Sequence, residues 1–271
     1  MTPAEKDNVW GMMVSSFCDP YVGRIPSRVA LPARNVKKKG IRALFIIYFM
    51  TFLEFLCIFF YNIDMFGGMN MNYQLEMEKQ MEEIPEGEKL LLHVCCAPCS
   101  STCLERLANH FQVVLFYYNP NISEEEEYQK RLDELKRFVS SISMKYPIQI
   151  LEGKYEPEKF QEMAKGLEEE PERGKRCFLC YQMRLTEAAK VADLQKIPYF
   201  CTTLTLSPHK NVNWLNEIGE LLDHEYHSHY LYSDFKKKGG YQRSIELSLK
   251  YHLYRQDYCG CIYSKKNKKE E

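Results

Sequence analysis

Hydrophobic and polar positions along residues 88–264 change period repeatedly, and the alternation predicts strands and helices in turn. Leu90-Leu91-Leu92-His93-Val94 is a short continuous apolar run, the pattern of a strand covered on both faces. A helix is expected near 99–109, and a second strand from Gln112 to Tyr118. Ser123 with Glu126 three residues on is a capping-box pairing, and Tyr128, Leu132, Leu135 and Val139 after it share one helical face. Ile148–Leu151 reads as a third strand, 156–166 as a helix, 167–176 as an acidic loop, and Cys177 to Gln195 as a long helix. Tyr199–Leu204 and His229–Tyr232 read as the last strands, with helices at 211–225 and 241–254. Such alternation implies an α/β fold, a Rossmann-like parallel sheet with right-handed crossovers and flanking helices. Ligands of these sheets lie beyond the carboxyl ends of the strands, so Cys95, Asn119 and Thr202 should share one rim. Residues 71–87 read as a linker before this catalytic part, and 265–271 as a basic tail.

A different pattern precedes it. Residues 41–61 are apolar almost throughout, with thirteen Leu, Ile or Phe, and their length suits a membrane span. Those residues, at about −0.3 to −0.6 kcal/mol each, outweigh the cost of about +2.5 to +3.5 kcal/mol for Glu54. Arg34, Lys37, Lys38, Lys39 and Arg42 lie ahead of the segment, an arrangement that would send everything after residue 62 out of the cytosol. A reduced, thiol-rich domain does not suit that side. Two readings therefore stand for residues 1–70. One is an anchor or helix; the other is a segment absent from the working enzyme, read through from a start upstream of Met65, Met69 and Met71.

Charge and cysteine content sharpen the picture. The 271 residues carry a net charge of −1, yet residues 65–172 hold 11 Lys and Arg against 21 Asp and Glu, while residues 173–271 hold 17 against 11. A basic second half with interspersed aromatics suggests a polyanionic partner. Eleven cysteines, an odd number with close spacings, do not form a secreted disulfide framework and point to metal or redox chemistry.

Cys95, Cys96 and Cys99 occupy the turn between the first strand and its helix, where a helix N-terminus favours thiolate. Adjacent cysteines point different ways and would reach different irons of a cluster more readily than one zinc. Cys177 and Cys180 open a later helix and bring the thiolates to four or more, enough for a four-iron cluster or a zinc. Cys103, a helical turn beyond Cys99, reads as core. Cys259-Gly260-Cys261 can close a strained, reducible disulfide, with Gly260 relieving the backbone, or supply two further metal ligands. Thr202–Ser207 is a hydroxyl-rich loop that would hold sugar or phosphate, or cap the helix after it. His209 is a candidate acid, whereas His224, His227 and His229 read as surface. Lys236–Lys238 with Tyr241 and Arg243 is either a nucleic-acid contact or a solvated loop.

Five ordered segments then carry a resemblance. They are His93-Val-Cys-Cys-Ala-Pro-Cys-Ser100, Tyr118-Asn-Pro-Asn-Ile122, Arg176-Cys-Phe-Leu-Cys-Tyr-Gln-Met-Arg-Leu185, Thr202-Thr-Leu-Thr-Leu-Ser-Pro208 and Tyr254-Arg-Gln-Asp-Tyr-Cys-Gly-Cys-Ile-Tyr-Ser264. Together they resemble epoxyqueuosine reductases of the QueH type, over about residues 88–264. The resemblance implies a cytoplasmic enzyme that deoxygenates epoxyqueuosine at the tRNA wobble position to queuosine. It implies a [4Fe-4S] cluster on Cys95, Cys96, Cys177 and Cys180, and a redox-active disulfide between Cys259 and Cys261. Cys99 would hold an additional iron or tune the cluster, and Asp257, Tyr258 or His209 would protonate the leaving oxygen. The partners so implied are tRNA carrying epoxyqueuosine, through its anticodon stem-loop, and an external electron donor. A zinc-stabilised tRNA-binding module and a membrane-tethered thiol oxidoreductase remain open alternatives at this point.

Overall fold

Five parallel strands stand in the order β3-β2-β1-β4-β5 in the computed structural model. The chain divides into two units, Met1–Gly68 and Met69–Glu271. The structure describes residues 71–265, all within the second unit, so the apolar run 41–61 and most of the basic tail lie outside the described residues. No helix among the described residues is long and apolar enough to cross a membrane.

The strands are β1 (Lys89–Val94), β2 (Gln112–Tyr117), β3 (Gln149–Glu152), β4 (Tyr199–Thr202) and β5 (His229–Tyr230). The helices are α1 (Tyr73–Glu83), α2 (Ala97–Leu107), α3 (Glu125–Ser140), α4 (Pro157–Ala164), α5 (Lys175–Leu194), α6 (Val212–Glu225) and α7 (Gly240–Lys250). The predicted Rossmann-like layering is therefore present, with helices on both faces. Successive side chains of a strand point to opposite faces. Leu90, Leu92 and Val94 accordingly enter a core with Leu104, Leu107, Leu132 and Leu135 of α2 and α3. Leu91 packs on the other face with Leu185, Ala188, Leu215 and Ile218 of α5 and α6. Burial on both sides explains why β1 reads as an uninterrupted apolar run.

Connections leave β1 toward β2 and return to β4 on its other side, so the strand order reverses between β1 and β4. A crevice at the carboxyl ends of the strands is expected there. His93 and Thr202 are register partners across this pair. The buried His93 ring donates from Nε2 to the Tyr118 carbonyl at 3.1 Å and accepts at Nδ1 from Thr202 Oγ1 at 2.9 Å. Burial lowers its pKa to about 3, so the ring is a neutral brace between three strand ends.

Several expected boundaries shift, each for a local reason. The fourth strand ends at Thr202 because its hydroxyl accepts the Leu204 N–H and starts a 3₁₀ turn over Thr203–Leu206. The last helix stops at Lys250 rather than 254. His252 there takes φ +50°, and the Leu253 N–H returns to the Ser248 carbonyl at 2.8 Å, a left-handed helix stop. Within the expected linker 71–87 lies α1, whose Gln80 donates to the Tyr230 carbonyl and accepts the Tyr232 N–H. Ser123 does not cap α3, which begins after Glu124. Its N–H and hydroxyl both donate to the Gly260 carbonyl instead, at 3.2 and 3.4 Å.

Candidate metal–thiolate site

The turn after β1 is built so that three thiols face one another. Cys96 caps α2 in an extended conformation, and Pro98 occupies its first turn, where a missing N–H costs nothing. The sulfur atoms of Cys95, Cys96 and Cys99 all lie within 4.8 Å of one another, a grouping that can hold a metal ion. Cys95 Sγ is 3.7 Å from Cys96 Sγ and 3.8 Å from Thr203 Oγ1 on the loop after β4. Hydrogen bonds from Cys96 and Cys99 hold the Cys95 pKa well below the ordinary thiol value. Burial pushes Cys96 up to about 12, and its thiol neighbours push Cys99 up as well. Metal binding would release the protons that the triad retains.

Cys177, Cys180 and Arg184 recur at helical spacing along α5, so they share one face of it. Burial raises both thiols, Cys180 to about 12. The Arg184 guanidinium is buried, only 1% exposed, and donates to Asn119 Oδ1, while Asn119 Nδ2 donates to the Val94 carbonyl at 3.0 Å. Its Nε has no hydrogen-bond partner. Burial works against the charge of Arg184, but Cys180, Cys95 and Cys259 favour it, and the balance keeps it cationic. Half-buried Lys210 behaves alike: burial opposes its charge, and Cys259 and Cys95 more than restore it.

The C-terminal segment closes the site from the side of α3. Buried Arg131 donates to the carbonyls of Cys259 at 3.2 Å and Tyr258 at 3.5 Å. Asn121 Nδ2 lies 3.4 Å from the Cys259 carbonyl and 4.0 Å from its sulfur. The Arg176 guanidinium stacks on Tyr263, 4.0 Å from the ring centroid. Cys259 and Cys261 are free thiols here, and burial pushes Cys261 up to about 12. Gly260 has φ +109°, and a Cβ on it would meet Ile122 Cγ1 at 2.8 Å and Arg131 Nη1 at 3.2 Å. Gly260→Ala is therefore expected to cost about 1–3 kcal/mol and to loosen the loop. Urea titration and the alkylation rate of Cys259 check this; an unchanged midpoint and labelling rate would contradict it.

A cavity of about 350 Å³ opens between these parts, with Cys95, Cys96 and Cys99 at one side and Tyr258 and Cys259 at another. A smaller pocket of about 20 Å³ is bordered by Cys177, Cys180, Cys259 and Cys261. Cys259 and Lys210 belong to both. Asp257 and His209 also border the larger cavity, and both are exposed. The two cavities thus adjoin, and the cysteine groups of three of the five segments line them. Cys103 and Cys201 are buried in the core; the Cys103 thiol donates to the Cys99 carbonyl at 3.2 Å but is not one of the three sulfurs that face one another. His224, His227 and His229 are exposed, as expected of surface residues, with His227 and His229 beside Asp193 and Asp223. The hydroxyls of Thr202 and Thr205 are used internally, and Asn211, not Ser207, caps α6. In the Lys236–Arg243 stretch, Lys238 pairs with Glu78 and Arg243 with Glu105. Sequence reasoning passed over Arg184, Lys210, Arg131 and Asn121. Their partners are distant in the chain, and a cation inside a helical motif looks like any surface cation.

Fold and site together define a protein of Rossmann-like architecture with a thiol cluster suited to metal at the switch point of its sheet. Residues 90–267 match the family model described as Epoxyqueuosine reductase QueH. The chain is 43% identical over 204 residues to the Epoxyqueuosine reductase QueH of Staphylococcus epidermidis, covering 73% of this chain and 86% of that protein. It is 39% identical over 212 residues to that of Streptococcus pyogenes, covering 75% and 83%. With that of Thermotoga maritima the identity is 32% over 185 residues, covering 67% and 93%. The chain belongs to the epoxyqueuosine reductase QueH family.

Proposed function

We propose that this enzyme removes the epoxide oxygen of epoxyqueuosine in tRNA, giving queuosine, with a [4Fe-4S] cluster held by Cys95, Cys96, Cys177 and Cys180. The observation that carries the cluster reading is charge. Thiols of two distant segments face a buried guanidinium whose Nε lacks a partner and which no carboxylate neutralises among the described residues. A cation in such a place calls for an anion. Four thiolates around a [4Fe-4S] core supply one, and Lys210 adds to the balance. Zinc at four thiolates would also be anionic, but adjacent Cys95 and Cys96 suit a multi-iron core better than one tetrahedral ion.

When bound, such a cluster would supply one-electron relay. The chain's own groups account for the rest. Cys259 and Cys261 give up two electrons and two protons as they close a disulfide. The epoxide takes up both, loses its oxygen as water and becomes an alkene, so atoms and electrons balance. Asp257 at the cavity edge is the carboxyl assigned to protonating the leaving oxygen, with Tyr258 and His209 beside the same space. Lys210 and Arg184 stabilise negative charge developing there. An external reductant then reopens the disulfide. The cavity has the size of small-molecule sites and would admit an everted modified base. Cys99, third member of the triad, would hold an additional iron or tune the cluster.

Anaerobic reconstitution with iron and sulfide, followed by nucleoside analysis of epoxyqueuosine-bearing tRNA, tests the proposal. Brown protein with about four irons per chain and conversion to queuosine is the expected result. Colourless protein that binds zinc and leaves the nucleoside intact would refute it.

A further inference from the structure

One carboxylate at the site is not spent on the scaffold. Glu172 borders both the large cavity and the smaller thiol pocket. No hydrogen bond or ion pair holds it among the described residues. Neighbouring carboxylates are engaged: Glu127 with Arg131, Glu170 with the Lys175 N–H, and Asp257 with a partner of its own. Yet Arg131, Arg184, Lys210 and Arg255 border the same cavity.

The turn that carries Glu172 is fixed from three sides. Arg173 takes φ +69°, an uncommon conformation for a side chain of its size. Its guanidinium donates to the carbonyls of Pro208 at 2.8 Å and His209 at 3.0 Å, and its N–H donates to Cys177 Sγ at 3.3 Å. A strained residue held by such bonds marks a position that the surroundings determine. The turn thereby ties the β4–α6 loop to the start of α5, and Glu172 stands at that junction.

Epoxyqueuosine joins its deazaguanine to the epoxycyclopentane through a secondary alkylamine, which is protonated at neutral pH. That cation would enter a cavity whose lining offers Glu172 and Asp257 as its carboxylates. We propose that Glu172 is a specificity-determining residue that accepts the ammonium of this linker and so turns the epoxide toward the thiols. The assignment rests on the functional reading above. Exposed Arg255 is the cavity cation left to meet the phosphates, which carry no information about the modification.

The test compares cluster-loaded wild-type protein with Glu172→Gln and Glu172→Asp, using tRNA with epoxyqueuosine and the same tRNA with unmodified guanosine. In Glu172→Gln, KM for the modified tRNA should rise roughly tenfold, the size of one hydrogen bond to a charged group, with kcat and bound iron little changed. Affinity for the unmodified tRNA should hold or tighten, because a negative charge beside RNA has been removed. Glu172→Asp should recover part of the discrimination. Equal weakening toward both tRNAs, or loss of iron, would make Glu172 a scaffold residue and overturn the assignment. An unchanged KM in an active enzyme would overturn it alone. Wild-type protein that deoxygenates nothing would defeat the functional reading, and this assignment with it.

Discussion

Cys95→Ser protein is expected to emerge folded but pale, with most of its iron gone and deoxygenation reduced by more than the 10–100-fold typical of outer-shell changes at metal sites. Serine keeps the size of the side chain but cannot supply a thiolate. Cys95 is the member of the triad whose pKa its neighbours lower, so it is the natural first ligand. It is half-buried, and its polar contacts are a sulfur and a threonine hydroxyl that a serine hydroxyl of similar size can also meet, so the fold should tolerate the exchange. Iron and sulfide analysis, visible absorbance and nucleoside analysis read the outcome. Cys201→Ser is the contrast: that thiol lies in the core beside Ser233 and should leave the iron content intact. Full iron and full turnover in Cys95→Ser would remove the foundation of the proposed site.

Arg131→Ala should produce the largest loss of stability. Its Nε meets Glu127 Oε1 at 2.6 Å with the two side chains only 2% and 11% exposed. Breaking such a pair leaves a largely buried carboxylate with just the Tyr254 hydroxyl to satisfy it among the described residues, at a cost of about 3–5 kcal/mol. That is a large part of the roughly 5–15 kcal/mol that holds an ordinary domain together. The same guanidinium grips the carbonyls of Tyr258 and Cys259, so the Cys259–Cys261 loop should become more accessible to alkylating reagents before global unfolding. Denaturant titration gives the first quantity and thiol labelling the second. Glu127→Gln should show a smaller loss and little loosening, because Arg131 keeps its backbone contacts. A midpoint close to wild type would mean that the pair contributes nothing net.

Much of the architecture was legible because periodicity is a local property. Leu90–Val94 could only be a strand covered on both faces, and the helical spacing of Tyr128, Leu132 and Leu135 did emerge as a buried stripe. Ser123 shows where that logic fails. Its spacing to Glu126 is that of a cap, yet its hydroxyl serves Gly260, which lies 137 residues away. Helix α1 was missed for a related reason. Its sequence is mostly polar, and Gln80 secures it by pairing with backbone of Tyr230 and Tyr232 at the sheet edge. The strand limit at Thr202 turned on one hydroxyl that leaves the ladder to start a 3₁₀ turn.

From its residues alone, the chain determined an alternating α/β sheet, the thiols available for chemistry and the family to which they belong. These follow from period and spacing, which survive in one dimension. The tertiary structure decided that β4 returns beside β1, and with it that the loop after β1, the start of α5 and the C-terminal turn meet at one crevice. It also decided that Arg184, Lys210 and Glu172 would border that crevice. Periodicity specifies which face of an element is apolar but not which neighbour will cover it, and a charge acquires its role only from the groups brought within a few ångströms of it.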